Sequence, residues 1–220
     1  MRLETLLDNN RRWAADRVAA DPRFFADLAA QQTPKHLWIG CSDSRVPANQ
    51  IVGLDPGQVF VHRNVANQVQ GADLNCMSVL QYGVEALGVE HVICCGHFGC
   101  GGVKAAVDGE APGISDYWIW DIKRSLRRNS DWLLPLPQQR REQAAAELNV
   151  IAQIWNLAST RIVRKAWAED RPLTLHGWVY HLDDGLLHYV LPPLGSEDAT
   201  AVIEQSLQDL RSRYENTTTA

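Results

Sequence analysis

The feature that most constrains this chain is a change of hydrophobic period in its first half. Short apolar runs end in polar or glycine-rich turns, and a helical pattern separates two of them. His36-Leu37-Trp38-Ile39-Gly40-Cys41 runs into Ser42-Asp43-Ser44-Arg45, Gln58 to Arg63 repeats the pattern, and Val89 to Cys95 runs into Gly96. Unbroken apolar runs of this length suit strands covered on both faces. Leu74, Met77, Leu80, Val84 and Leu87 follow the second run at helical spacing. Strand, helix, strand implies a crossover connection and therefore parallel pairing.

The remainder adds helices around such a sheet. Leu3 to Leu28 is helical in pattern, interrupted by Asp21-Pro22, and reads as an arm that packs on the body or on another subunit. Helices are expected at Gly101 to Val107 and through the tryptophan-rich stretch Asp116 to Arg128, with Pro135 and Pro137 as punctuation. One long helix fits from Gln138 to about Ala168. Leu148, Ile151, Trp155, Ala158, Ile162 and Ala166 form its apolar stripe, and Arg140, Glu142, Glu147 and Arg161 its polar face. Leu173 to Leu182 alternates as a strand, Asp183-Asp184-Gly185 turns, and Leu186 to Leu191 returns. Val202 to Tyr214 is a last amphipathic helix, and Thr217-Thr218-Thr219 a frayed tail. The fold class is α/β, with residues 1–220 forming one domain.

Composition narrows the partners. Lys and Arg number 21 against 26 Asp and Glu, a formal charge of -5, which gives no general attraction to nucleic acid or an anionic membrane. No apolar run approaches the roughly 20 residues of a spanning helix, and Met-Arg-Leu-Glu-Thr does not open like a signal peptide, so a cytoplasmic protein is expected. Five cysteines, an odd number in a chain too long to need staples, are expected as thiols.

Cys41 and the pair in His97-Phe98-Gly99-Cys100 each lie just past the carboxyl end of an expected strand. In a parallel sheet such positions converge on one crevice. Two thiolates and an imidazole suit zinc and leave a fourth position open, while a helix N-terminus beside Cys100 favours its thiolate. Three unrelated residues remain the competing reading, since cysteine is often a small core hydrophobe. Cys76, Cys94 and Cys95 are read that way. Asp43 and Arg45 share the Cys41 loop: Asp43 is a fourth ligand, or an acceptor held by Arg45 beside the metal, or merely the cap of a helix starting near Val46-Pro47. His36, His62, His91, His176, His181 and His188 show no metal-like spacing with this group and read as surface or sheet histidines. Gly99-Cys100-Gly101-Gly102 lacks the lysine-serine ending of a phosphate loop, and the eight tryptophans read as packing or interface residues.

Cys41-Ser42-Asp43-Ser44-Arg45, Arg63-Asn64-Val65-Ala66-Asn67 and His97-Phe98-Gly99-Cys100-Gly101-Gly102, in that order and spacing, resemble the signature of the beta-class carbonic anhydrases. The resemblance implies a central, mostly parallel sheet flanked by helices, with an N-terminal helical arm (residues 1–32) that embraces a partner in a homodimer or homotetramer; the residue pattern adds the C-terminal strand hairpin and helix. It implies one Zn2+ per chain on Cys41, His97 and Cys100, with Asp43 and Arg45 as the catalytic dyad. The implied reaction is reversible hydration of carbon dioxide to bicarbonate through a zinc-bound hydroxide. Rival readings are zinc-dependent hydrolysis of a related heterocumulene such as carbon disulfide, and a non-catalytic zinc scaffold or sensor. Trp38, Val46, Arg63 and Tyr180 further resemble the non-catalytic bicarbonate pocket of a bacterial subgroup of the family, which implies allosteric inhibition by bicarbonate at lower pH.

Overall fold

A computed structural model describes residues 2–216, so the tail expected at Thr217-Thr218-Thr219 lies outside the described residues. In chain order the elements are α1 (Leu3–Ala20), α2 (Phe24–Ala30), β1 (His36–Cys41), α3 (Ala48–Ile51), β2 (Val59–Asn64), α4 (Leu74–Gln81), β3 (His91–His97), α5 (Gly101–Asp108), α6 (Ile114–Trp118), α7 (Trp120–Arg128), α8 (Ser130–Leu133), α9 (Gln138–Ser159), α10 (Arg161–Ala168), β4 (Thr174–Tyr180), β5 (Leu187–Tyr189) and α11 (Ala199–Asn216). The sheet runs in the order β2-β1-β3-β4-β5. Its first four strands are parallel and β5 alone is antiparallel, as a hairpin return must be. The α/β class, the flanking helices and the terminal hairpin and helix all stand as expected.

Four boundaries differ for local reasons. The helix expected from Gln138 to Ala168 breaks at Thr160, whose backbone is extended and whose hydroxyl accepts from the Val163 amide, capping α10. The stretch from Asp116 divides at Ile119 into α6 and α7. Past Gln81 the helix relaxes into a wider π turn to Leu87, closed by left-handed Gly88. Finally β3 runs on to His97, so Cys41 and His97 are the last residues of their strands rather than residues beyond them.

The expected face of α9 also needs correcting at two positions. Glu147 is buried, accepting from Tyr214 Oη at 2.7 Å and Arg213 Nη2 at 2.7 Å, while Trp155 is exposed. A one-sided helix was the wrong premise, since α9 lies against β3 and β4 on one side and α11 on another. Leu148, Ile151 and Ile154 of α9 meet Leu37, Ile39, Val92 and Leu175 of the sheet in the main core. The opposite sheet face carries a smaller cluster of Trp38, Ile93 and Cys95 under Ala48 of α3. Among the described residues no helix is long and apolar enough to cross a membrane.

Close approach of α9 and the chain after β5 depends on Gly177 in β4. A methyl group there would stand 2.2 Å from Leu191 Cδ2, 3.0 Å from Val150 and 3.1 Å from Ile154, all buried. Gly177→Ala is therefore expected to cost about 1–3 kcal/mol of stability through overpacking. An unfolding midpoint in denaturant equal to that of the wild type would contradict this.

Candidate metal centre

Strands β1 and β3 are neighbours in register, with Gly40 opposite Cys95, so Cys41 and His97 emerge side by side at the carboxyl edge. The Phe98-Gly99 turn, with Gly99 at φ 69°, brings Cys100 back as the residue that opens α5. All three side chains are buried, and their ligand atoms lie within 4.8 Å of one another. Cys41 Sγ and Cys100 Sγ are 3.8 Å apart. Tetrahedral zinc with Zn–S bonds of about 2.3 Å places two sulfurs about 3.8 Å apart, so the thiols already have the required spacing.

The imidazole fits as well. His97 Nδ1 lies 3.0 Å from the Phe98 carbonyl and donates to it, which leaves Nε2 as the lone-pair nitrogen. That Nε2 is buried with no hydrogen-bond partner among the described residues, an atom whose burial is costly unless something binds it. Cys41 is pushed down to about 4 by the Cys100 thiol, by His97 and by the Asp43 and Ala66 amides, against the effect of burial. Cys100 is pushed up in turn by the Cys41 thiolate and by burial, so the pair shares one proton. Cys76 and Cys94 behave as expected of core thiols, each pushed up to about 12 by burial, and burial also drives Cys95 well above its usual value.

Asp43 neither caps a helix nor joins the three-ligand group. Its Oδ1 accepts from the Arg45 amide at 2.9 Å and from Arg45 Nε at 3.0 Å, and Oδ2 accepts from Arg45 Nη2 at 2.7 Å. These contacts hold the carboxyl well below the usual carboxylate range. Arg45 Nη2 also donates to the Gly99 carbonyl at 3.3 Å, which ties the loop of the first ligand to the turn between the other two. Asp43 Oδ2 sits 3.8 Å from His97 Nε2.

Of the four residues expected around a bicarbonate pocket, Trp38 and Tyr180 share the smaller cluster, Val46 is buried, and Arg63 lies half-buried on the same sheet face as Trp38. Arg63 Nε donates to the Cys41 carbonyl at 2.8 Å and its Nη2 donates to the Asp43 carbonyl, so this side chain braces the backbone of the ligand loop. Trp38 Nε1 is buried without a partner among the described residues. The indole lies over Gly40, where a methyl group would stand 2.3 Å from Nε1.

One supporting device went unread in the sequence. Ala66 and Asn67 adopt left-handed backbone (φ 61° and 47°), a costly conformation for residues other than glycine. Buried amides hold it: Asn149 Nδ2 donates to the Ala66 carbonyl at 3.0 Å, Gln68 Nε2 donates to that carbonyl and to Asn149 Oδ1, and Gln153 Oε1 accepts from the Val69 amide at 2.7 Å. The Ala66 amide in turn faces the Cys41 sulfur. The available signal was Asn149 and Gln153, polar residues one turn apart inside an apolar helix. The other histidines lie on or beside the sheet and outside the Cys41 group, as expected, while His62 also groups with Asp73 and Cys76, and His181 with Asp184 and His188, each set with ligand atoms within 4.8 Å.

Comparisons with known proteins agree with this geometry. The family model described as carbonic anhydrase matches residues 36–187, from β1 into β5. A carbonic anhydrase of Emericella nidulans is 45% identical over 185 residues, covering 84% of this chain and 81% of that one. The structure of Coccomyxa beta-carbonic anhydrase in complex with acetazolamide aligns with a TM-score of 0.89 at 38% identity, over 100% of this chain and 99% of its own. One of two tetrameric beta-carbonic anhydrases from Sordaria macrospora aligns at 0.84 and 38% identity, covering 87% and 98%. The fold and sequence thus have counterparts along nearly the whole length of the chain, and this chain belongs to the beta class of the carbonic anhydrases.

Proposed function

We propose that Cys41, His97 and Cys100 hold one zinc ion per chain and that Asp43 and Arg45 orient the oxygen that adds to carbon dioxide. The observation that carries this reading is the arrangement of Asp43, fixed by three N–H donors of Arg45 at the mouth of the ligand group. Zinc in such a donor set supplies Lewis acidity, lowering the pKa of water at its open position. Asp43, ionised, can only accept a hydrogen bond. It takes the proton side of the attacking oxygen and leaves a lone pair free for the substrate carbon. Arg45 holds the carboxylate away from the metal ligands, an arrangement that a closed structural site would not need. Stopped-flow hydration of carbon dioxide on protein carrying one zinc per chain is the test, with turnover expected to rise towards alkaline pH. Because Asp43 stays ionised across that range, it imposes no acid limb of its own. Absence of turnover at any alkaline pH would overturn the reading.

The same reading includes inhibition by bicarbonate. A small anion suits the partnerless Trp38 indole N–H, the Arg63 guanidinium and the Tyr180 phenol. Arg63 now spends two donors on the carbonyls of Cys41 and Asp43. An anion drawing it away would free the loop through Val46, loosen Arg45 from Asp43, and let the carboxylate close the metal position. The anion must bind the closed form more tightly, for otherwise it shifts nothing. Bicarbonate should therefore inhibit cooperatively and more deeply as pH falls, and Arg63→Ala should weaken inhibition with zinc retained. Identical, non-cooperative titration curves for the two proteins would remove the pocket. Assembly as a homodimer or homotetramer accords with α1, none of whose residues is buried in the isolated chain, and with the tetrameric Sordaria relative.

A further inference from the structure

The two other groups of metal-capable side chains differ in what their donors are already doing. In the set His62, Asp73 and Cys76, His62 Nε2 accepts from the Asn64 amide at 3.1 Å, Asp73 Oδ1 caps α4 by accepting from the Asn75 amide, and burial pushes the Cys76 thiol up to about 12. That set is committed to the fold. The set on the hairpin between β4 and β5 contains no buried thiol, has two of its three residues exposed, and leaves Oδ2 of its aspartate open.

We propose that His181, Asp184 and His188 form a second metal site, for a divalent first-row transition ion that favours imidazole and carboxylate ligands. The ladder places them. Val179 pairs with His188 and the His181 amide donates to the Leu186 carbonyl at 2.9 Å, so His181 and His188 are diagonal neighbours on one face of the hairpin. Their rings stand 4.3 Å apart between centroids at 44°. Asp184 spends Oδ1 on the Leu186 amide at 2.9 Å, which fixes the turn and leaves Oδ2 4.0 Å from His181 Nδ1. All three ligand atoms lie within 4.8 Å, and Asp184 and His188 are exposed. Metal bonds of about 2.0–2.2 Å need ligand atoms about 3 Å apart, a closure that rotation of these open side chains provides. A histidine pair with one carboxylate and no thiol selects differently from the centre at Cys41. Nickel and copper suit it, while the two thiolates hold zinc.

The site lies close to the catalytic edge without sharing a ligand with it. His181 packs on Phe98 with centroids 4.3 Å apart, and a methyl group on Gly99 would meet Leu182 at 3.9 Å. The hairpin is thus seated on the turn between His97 and Cys100.

Calorimetric titration of the zinc-loaded enzyme with nickel chloride tests the proposal, with zinc and nickel counted by elemental analysis afterwards. One nickel per chain should bind on top of the retained zinc. His188→Ala should weaken it at least about tenfold, in line with the loss of one protein ligand of three, and His181→Ala with His188→Ala together should abolish it. His176→Ala, which alters the separate histidine contact between β3 and β4, should leave nickel binding unchanged. Nickel taken up only in exchange for zinc, or bound equally by the double variant, overturns the proposal. Retained zinc and hydration activity in the hairpin variants keep either result separate from the reading of the catalytic centre.

Discussion

Cys41→Ala should empty the metal centre and abolish hydration activity in one step. The variant keeps His97 and Cys100, and two protein ligands hold zinc poorly where three leave one open position. The loss exceeds one ligand, because Cys41 is the sulfur that the Asp43 and Ala66 amides favour as thiolate. Zinc measured after dialysis should fall from one per chain to near none, with turnover at the uncatalysed background. Full zinc occupancy in Cys41→Ala would refute the ligand assignment.

Arg45→Ala should instead keep zinc and lose turnover, by on the order of a hundredfold or more, the scale seen when a preorganised polar group is removed from a reacting centre. Asp43 would lose both side-chain contacts, at 3.0 and 2.7 Å, and keep only the backbone amide. Its Oδ2 already sits 3.8 Å from His97 Nε2, so a small rotation takes the freed carboxylate into the space that substrate and water require. Arg45→Lys should not restore activity, since an ammonium cannot grip both carboxylate oxygens in a plane. Near wild-type turnover in Arg45→Ala at alkaline pH would remove the dyad from the mechanism.

Much of this architecture was legible from residue order, and for definite physical reasons. A strand covered on both faces must be apolar throughout, so β1 and β3 declared themselves, and parallel strands put their carboxyl ends at one edge, which brought Cys41 to His97. What stayed hidden depends on partners distant in the chain. Glu147 looks like a surface residue until α11 supplies Tyr214 and Arg213. Arg63 reads as an anion ligand, and its hydrogen bonds to the carbonyls of Cys41 and Asp43 add a bracing role that no side-chain pattern encodes. The left-handed turn at Ala66 carries no glycine to announce it, because buried amides from α9 impose it. The break at Thr160 was readable in principle, but an apolar period continuing on both sides obscured it.

The separation of 59 positions between Cys41 and Cys100 bears on how the protein comes to be made. The two thiols meet only after β1 and β3 have found each other across that interval, and long-range parallel pairing is the slow part of folding for chains of this kind. Zinc therefore has little to grip in the nascent polypeptide and cannot serve as a nucleus, unlike the metal of a small zinc finger. The metal-free chain must reach its register on apolar burial alone, and a slip of one residue would turn Cys41 to the wrong side of the sheet. On the proposed ligand set, metal uptake is then expected as a late event, since the two sulfurs reach their 3.8 Å spacing only in a correctly aligned molecule.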